Sequence, residues 1–323
     1  MFSEFPSKKR KPTFTFIDLF AGVGGMRIAF ESVGGKCIFS SEWDPSSQKT
    51  YEANFGEIPH GDITKIKADQ IDDFDFLVAG FPCQPFSSIG QRQGFMHATQ
   101  GTLFYDVLRI LKDKRKGAKP KAFLLENVQG LVTHNNGNTL DVIIAALDEI
   151  GYKVSWDILD SKYFGVPQQR KRIYIVGFRK DLFGDHVKFE FPEESGELVD
   201  ICNFLEKGKK GYSISKHLQK SYLFKKNDGR PIIVDFKTKG PIKTLVASYH
   251  KIQRLTGTFV KDGETGIRLL TENECKAIMG FDKNFIIPVS RTQMYRQMGN
   301  SVAIPAVKAI AKKIVQKLKT AKA

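Results

Sequence analysis

Apolar runs that stop on a glycine or an acid, each followed by helical spacing, recur through the first 180 residues. They leave few folds open. Residues 13–20 are rich in β-branched and aromatic side chains and read as a strand. The strand runs into Asp18-Leu19-Phe20-Ala21-Gly22-Val23-Gly24-Gly25, and a helical pattern follows over 26–33. A second strand at 36–41 ends in Glu42-Trp43-Asp44, and a third at 74–79 stops at Gly80. A helix is expected over 103–111, a strand over 122–125 ending in Glu126-Asn127-Val128, and an amphipathic helix over 139–150. Strands at 152–159 and 172–178 complete the series. Such alternation predicts an α/β fold with a mostly parallel, doubly wound sheet. Open sheets of this kind bind ligands at the carboxyl ends of their strands. The glycines after the first strand let backbone approach a ligand closely. Their Gly-x-Gly-Gly spacing lacks the third glycine of the dinucleotide fingerprint, which counts against a nicotinamide dehydrogenase.

The third strand leads into Gly80-Phe81-Pro82-Cys83-Gln84-Pro85-Phe86-Ser87. Each proline fixes φ and removes a donor, so neither strand nor helix continues easily through Cys83. The thiol is therefore expected on a stiffened loop at a strand end, where a small buried hydrophobe is the competing reading. The other cysteines, Cys37, Cys202 and Cys275, lie far apart, and no Cys-x-x-Cys pair exists. Neither a zinc site nor a disulfide framework is indicated.

Past residue 180 the texture changes. Between 207 and 261 fourteen lysines and arginines face only Asp228 and Asp235. Short β-prone runs at 231–236 and 242–249 alternate with Gly, Asn and Asp turns, and Tyr212, Tyr222, Tyr249 and His250 are interleaved. A smaller, irregular β-rich domain with a phosphate-binding face is expected here. The whole chain carries a net charge of +15, which implies a polyanion partner, nucleic acid above all. No apolar run approaches the ~18 residues of a membrane span, and no secretory leader pattern opens the chain. Thr271 with Glu274 three residues on forms a capping box for a short helix that stops at Gly280. A final amphipathic helix is expected over 306–318.

These pieces resemble the cytosine-C5 DNA methyltransferase family, in the compact bacterial form of restriction–modification systems. The resemblance covers nearly the whole chain in family order. Residues 18–25 resemble the cofactor loop. Glu42-Trp43 and Asp62-Ile63 resemble its adenosine contacts, and Phe81-Pro82-Cys83-Gln84-Pro85 its catalytic loop. Glu126-Asn127-Val128 and Gln168-Gln169-Arg170-Lys171-Arg172 resemble the substrate-pocket motifs. Arg268-Leu269-Leu270-Thr271 and Gly299-Asn300-Ser301-Val302 resemble the last two. Thr244-Leu245 resembles the Thr-aliphatic pair inside the recognition region.

The resemblance implies an S-adenosylmethionine-dependent methyltransferase fold. Its catalytic domain would comprise 13–180 plus 290–323, its target-recognition domain 181–270, and its hinge 271–289, behind a basic tail at 1–12. It implies S-adenosylmethionine as methyl donor, leaving S-adenosylhomocysteine. Asp18, Phe20, Gly22, Gly24, Gly25, Glu42, Trp43, Asp62, Ile63, Pro82, Asn300, Ser301 and Val302 would line the donor site. Cys83 would add to C6 of a flipped cytosine, splitting one hard step into easier ones. Glu126 in its acid form would protonate N3. An unperturbed carboxyl is protonated about once in 500 at pH 7, so the role requires a desolvated pocket. Arg170 and Arg172 would meet the O2 edge and the adjacent phosphate. Asn127 would brace backbone, and Gln84, Ser87, Thr244 and Leu245 would meet DNA. Double-stranded DNA is the implied partner, with no membrane. The protein would be a cytoplasmic, nucleoid-associated monomer, with any cognate restriction endonuclease acting independently. A tRNA cytosine methyltransferase and a repressor without transferase activity are the alternatives.

Overall fold

A computed structural model describes residues 12–82, 103–113 and 119–320. Cys83, Gln84, Ser87 and nearly all of the basic tail lie outside those residues. The central sheet has strands β1 (Phe14–Leu19), β2 (Gly35–Ser41), β3 (Phe76–Gly80), β4 (Ala122–Val128), β5 (Tyr152–Asp160) and β7 (Lys171–Arg179). The two-residue β6 (Gln168–Gln169) lies outside it. Strand order is β2-β1-β3-β4-β7-β5. β2, β1, β3 and β4 pair parallel, whereas β7 runs antiparallel between β4 and β5. The reversal follows from connection length. The ten residues between β5 and β7, with no helix of their own long enough to cross the sheet, fall short of a parallel crossover and leave the two as antiparallel neighbours.

Side chains alternate across the sheet as the pleat requires. Phe76 and Val78 of β3 and Ala122 and Leu124 of β4 face one layer. Leu77, Ala79, Phe123 and Leu125 face the other. The first layer is closed by helices Gly25–Glu31 and Ile304–Leu318, through Met26, Phe30, Val307, Ile310 and Ile314. The second is closed by Leu103–Asp113 and Asn138–Glu149, through Val107, Leu111, Ile143 and Leu147. Continuous apolar strands buried on both faces are what a doubly wound sheet produces.

Residues 181–270 are irregular, with regular strand confined to β8 (Ile232–Val234), β9 (Ile242–Lys243) and β10 (Thr258–Val260). β8 pairs with β10, and β9 pairs in parallel with β6. The strand expected over 242–249 ends after Lys243, because the Leu245 amide turns away to donate to the Gln168 side chain at 2.8 Å. Ile201, Ile214, Leu223, Val234, Phe259 and Leu270 join the same core as Phe16 and Phe76. This region is thus joined to the sheet by buried apolar contact. The capping box at Thr271 and Glu274 forms as expected, and the helix Glu272–Met279 ends at Gly280. Among the described residues no helix is long and apolar enough to cross a membrane.

Two helices escaped the sequence reading. Pro45–Phe55 and Arg291–Asn300 each bury one face, but Ser47 and Thr50 in the first and Gln297 and Gly299 in the second make that face partly polar, so apolar periodicity does not reveal them. Their caps do: Asp44 before Pro45 with Gly56 after, and Ser290 with Gln293.

Candidate active site

Two clusters occupy the carboxyl edge of the sheet. The first surrounds the glycine turn. Asp18 sits inside β1 on the face that carries Phe14 and Phe16, and it is fully buried. Neither of its oxygens meets a donor at full hydrogen-bond geometry. Burial pushes its carboxyl up to about 8, while the Arg27 charge and main chain pull it partly back. Phe20 adopts φ 56°, a left-handed conformation a non-glycine residue reaches only at a cost of about 1–2 kcal/mol. Such strain gathers at functional turns. Gly24, at φ 86°, has no room for a side chain: a Cβ there would lie 2.3 Å from the Phe55 ring.

The second strand meets this turn. The Gly22 amide donates to Glu42 Oε2 and the Asp44 amide to Oε1, both at 2.8 Å. These bonds fix the buried Glu42 carboxylate, and each oxygen keeps a second acceptor site. Burial raises the Glu42 carboxyl, against main-chain bonds that lower it. Trp43 beside it is 76% exposed. The Glu42 amide donates to His60, and His60 donates to Ser40, which carries residues 60–62 alongside β2. There Asp62 caps a short turn by accepting from Thr64, and these bonds hold its carboxyl below the usual range. Ile63 is buried. From the far end of the chain, Ser301 and Val302 press on Gly25, where a Cβ would lie 2.9 Å from either side chain. Asn300 next to them is exposed and Pro82 is exposed at the end of β3.

An orphaned buried carboxylate, an exposed indole and an oriented second carboxylate fit S-adenosylmethionine. The ligand brings cationic groups for the first, a purine face for the second and ribose hydroxyls for the third.

The second cluster lies two strands over. Register pairs Gly80 of β3 with Glu126 of β4, and Glu126 with Tyr174 of β7. Glu126 shares the Leu124 face, and a Cβ on Gly80 would lie 3.7 Å from its Oε2. Its Oε1 is bridged by Arg172 Nε at 3.1 Å. Burial raises the Glu126 carboxyl, and the charges of Arg172 and Arg170 oppose that without cancelling it. Asn127 donates to the Phe81 carbonyl at 3.0 Å, bracing the backbone two residues before Cys83.

Three expected contacts take other forms. Arg170 is only 3% exposed, and its terminal nitrogens donate to the carbonyls of Leu245, Gly299 and Ser301. The Leu245 side chain is buried in the core, while Thr244 stays part-exposed and donates to the Gln169 carbonyl at 2.7 Å. Arg254, counted among the phosphate-binding cations, is buried. It holds the carbonyls of Leu223 and Lys226 and pairs with Asp228. Sequence reasoning also passed over Gln168 and Asp160. Fully buried Gln168 spans Ile278 and Leu245, and Asp160 Oδ1 accepts from the Arg170 amide at 3.0 Å. The Gln168-x-Arg170 spacing was the available signal, read for its arginine alone.

Comparison with known proteins agrees with this geometry. A family model described as C-5 cytosine-specific DNA methylase matches residues 14–316. The chain is 60% identical over 307 residues to the Type II methyltransferase M.MspI of a Moraxella species, covering 95% of this chain and 72% of that protein. It is 57% identical over 317 residues to the Type II methyltransferase M.BsuFI of Bacillus subtilis, covering 98% and 76%. Among solved structures, an S. pombe Dnmt2 methyltransferase superposes with a TM-score of 0.76 at 20% identity, covering 94% of this chain and 99% of that one. That likeness shows the fold.

Proposed function

The chain belongs to the C-5 cytosine-specific DNA methylase family, and from that premise we propose how its residues divide the work of a type II DNA (cytosine-5) methyltransferase. The carrying observation is Glu126: a buried carboxyl with a raised proton affinity, beside Gly80 and bridged to Arg172.

In this reading the Cys83 thiolate adds to C6 of an extruded cytosine. Its sulfur forms the new bond, and the ring's electron pair moves toward N3. Glu126 delivers its proton to N3 as that charge develops, which is general acid catalysis. Arg172 holds the Glu126 carboxyl in orientation and offers its remaining donors to the pyrimidine edge. C5 is thereby made nucleophilic. S-adenosylmethionine, when bound, supplies a methyl group activated by a sulfonium for that carbon. Loss of the C5 proton to solvent and expulsion of the Cys83 sulfur restore the ring, and N3 returns its proton to Glu126. Asn127 fixes the approach to the Cys83 loop, where Gln84 and Ser87 serve the DNA.

The donor is held by Asp18 on its cationic end, Glu42 on ribose, and Phe20 and Trp43 against adenine. Asp62 and Ile63 serve the adenine edge. Gly22, Gly24, Gly25, Pro82, Asn300, Ser301 and Val302 frame the pocket. Residues 181–270 act as the recognition domain, with 271–289 connecting it to the catalytic domain. The protein acts as a monomer on duplex DNA in the cytoplasm, and any cognate endonuclease works independently. The family match and the type II methyltransferases it resembles support duplex DNA over tRNA.

The test is to incubate unmethylated genomic DNA with the protein and S-adenosylmethionine, then read it by bisulfite sequencing. Methylation of one cytosine within one short sequence is expected, and Cys83→Ala abolishes it. Full methylation by Cys83→Ala sinks the mechanism. Transfer to tRNA but not to duplex DNA sinks the substrate.

A further inference from the structure

Arg170 is the most heavily committed cation of the site. Its amide is held by Asp160 at 3.0 Å, which ties it to the end of β5. Its Nη1 donates to Leu245 at 3.3 Å, and its Nη2 to Gly299 at 3.2 Å and Ser301 at 2.6 Å. A buried guanidinium is costly unless its donors are satisfied, and here only Nε lacks a partner. Three of the four N–H groups at the tip of Arg170 are spent on main-chain carbonyls, so its tip is committed to the protein's own backbone.

The segments it joins already touch. A Cβ on Gly299 would lie 2.2 Å from the Ala247 amide and 2.4 Å from the Val246 carbonyl carbon, so the turn lies flush against the recognition segment. At its other end the same turn carries Ser301 and Val302 onto Gly25 of the cofactor turn. Gln168 reinforces the joint by accepting from Leu245 at 2.8 Å. A continuous run of close contacts thus leads from the glycine turn through 299–302 and Arg170 to 245–247.

We propose that Arg170 is a positioning residue rather than a substrate contact: it locks the turn that closes the donor site to the segment 245–247 of the recognition region. A ligand that orders Ser301 and Val302 against Gly25 cannot do so without ordering that segment. Donor binding and recognition-segment order are therefore coupled, and each favours the other by the same factor. The inference rests on the donor site assigned above.

The experiment follows hydrogen–deuterium exchange of the full-length protein with and without saturating S-adenosylhomocysteine, whose binding is measured in parallel by calorimetry. In the wild type, exchange over 244–250 slows roughly tenfold on binding, within the usual range for coupling between two sites, while the helix Asn138–Glu149 is unmoved. In Arg170→Lys, which keeps the charge but not the fork, that slowing is largely lost even at saturating ligand, and the ligand's Kd rises. Binding to the wild type with no change over 244–250 overturns the coupling and leaves the donor site standing. So does an unchanged response in Arg170→Lys. No binding to the wild type overturns the donor site and this proposal with it. Should Arg170→Lys not fold, the wild-type comparison decides alone.

Discussion

Two buried carboxyls carry the residue-scale predictions. Glu126 has its proton affinity raised first by burial, with Arg172 and Arg170 opposing. Its acid form thus survives to higher pH than an exposed carboxyl's. Single-turnover methyl transfer should fall as pH rises through its titration, insofar as N3 protonation limits the rate. Glu126→Gln should slow that step by about 10²–10⁴ while circular dichroism stays unchanged. A rate within twofold of wild type would remove Glu126 from the chemistry. Asp18 is shifted the same way, and there the consequence is for stability. Its folded carboxyl titrates at about 8, against about 3.9 unfolded. The native state therefore holds the extra proton between those values, and stability is lost as pH rises across that window. Asp18→Asn should flatten the dependence of Tm on pH between 4 and 8 and weaken S-adenosylhomocysteine binding. A variant that binds the ligand as wild type does would free Asp18 from the donor site.

At the scale of elements, the helix Glu272–Met279 shows how one side chain can hold two loads. Thr271 and Glu274 cap it reciprocally. Glu274 also pairs with Arg268 at 2.8 Å, both fully buried. Thr271→Ala should cost about 1 kcal/mol, the usual worth of a cap. Glu274→Ala should cost about 3–5 kcal/mol, because it leaves the Arg268 guanidinium short of its main partner. Urea titrations of both variants test the ranking, and equal losses would deny the second load. The capping box was legible because it is local. The end of β9 was not. Residues 242–249 have β-prone character throughout, but Gln168, 77 positions away, takes the Leu245 amide. Nor did spacing reveal that β7 opposes its neighbours, since periodicity carries no strand direction.

For the whole molecule the controlling quantity is charge. The chain nets +15, and residues 207–261 alone set fourteen basic side chains against two acidic ones, so DNA affinity should fall steeply with salt, by a log–log slope of about −0.9 per phosphate contact. Lys225 and Lys226 are exposed. Replacing both with alanine should shallow that slope by roughly 1–2 in a fluorescence anisotropy titration, if each meets a phosphate. Arg254→Ala should leave the slope alone and lower Tm, because Arg254 holds the carbonyls of Leu223 and Lys226. An Arg254 variant with a shallower slope and an unchanged Tm would return it to the interface.

Strand ends are where this sequence speaks for itself. The pleat alternates sides every residue, so a run of apolar residues ending in an acid or glycine announces both a buried strand and the chemistry at its edge. Glu42, Glu126 and the glycine turn were all readable in that way. Tertiary structure alone decided which cations work outward and which inward. Arg170 and Arg254 carry the same charge as their exposed neighbours. Only contacts to carbonyls far along the chain, up to 131 positions away for Arg170, commit them to the interior. No local pattern encodes such distant partners, because they exist only once the layers have closed.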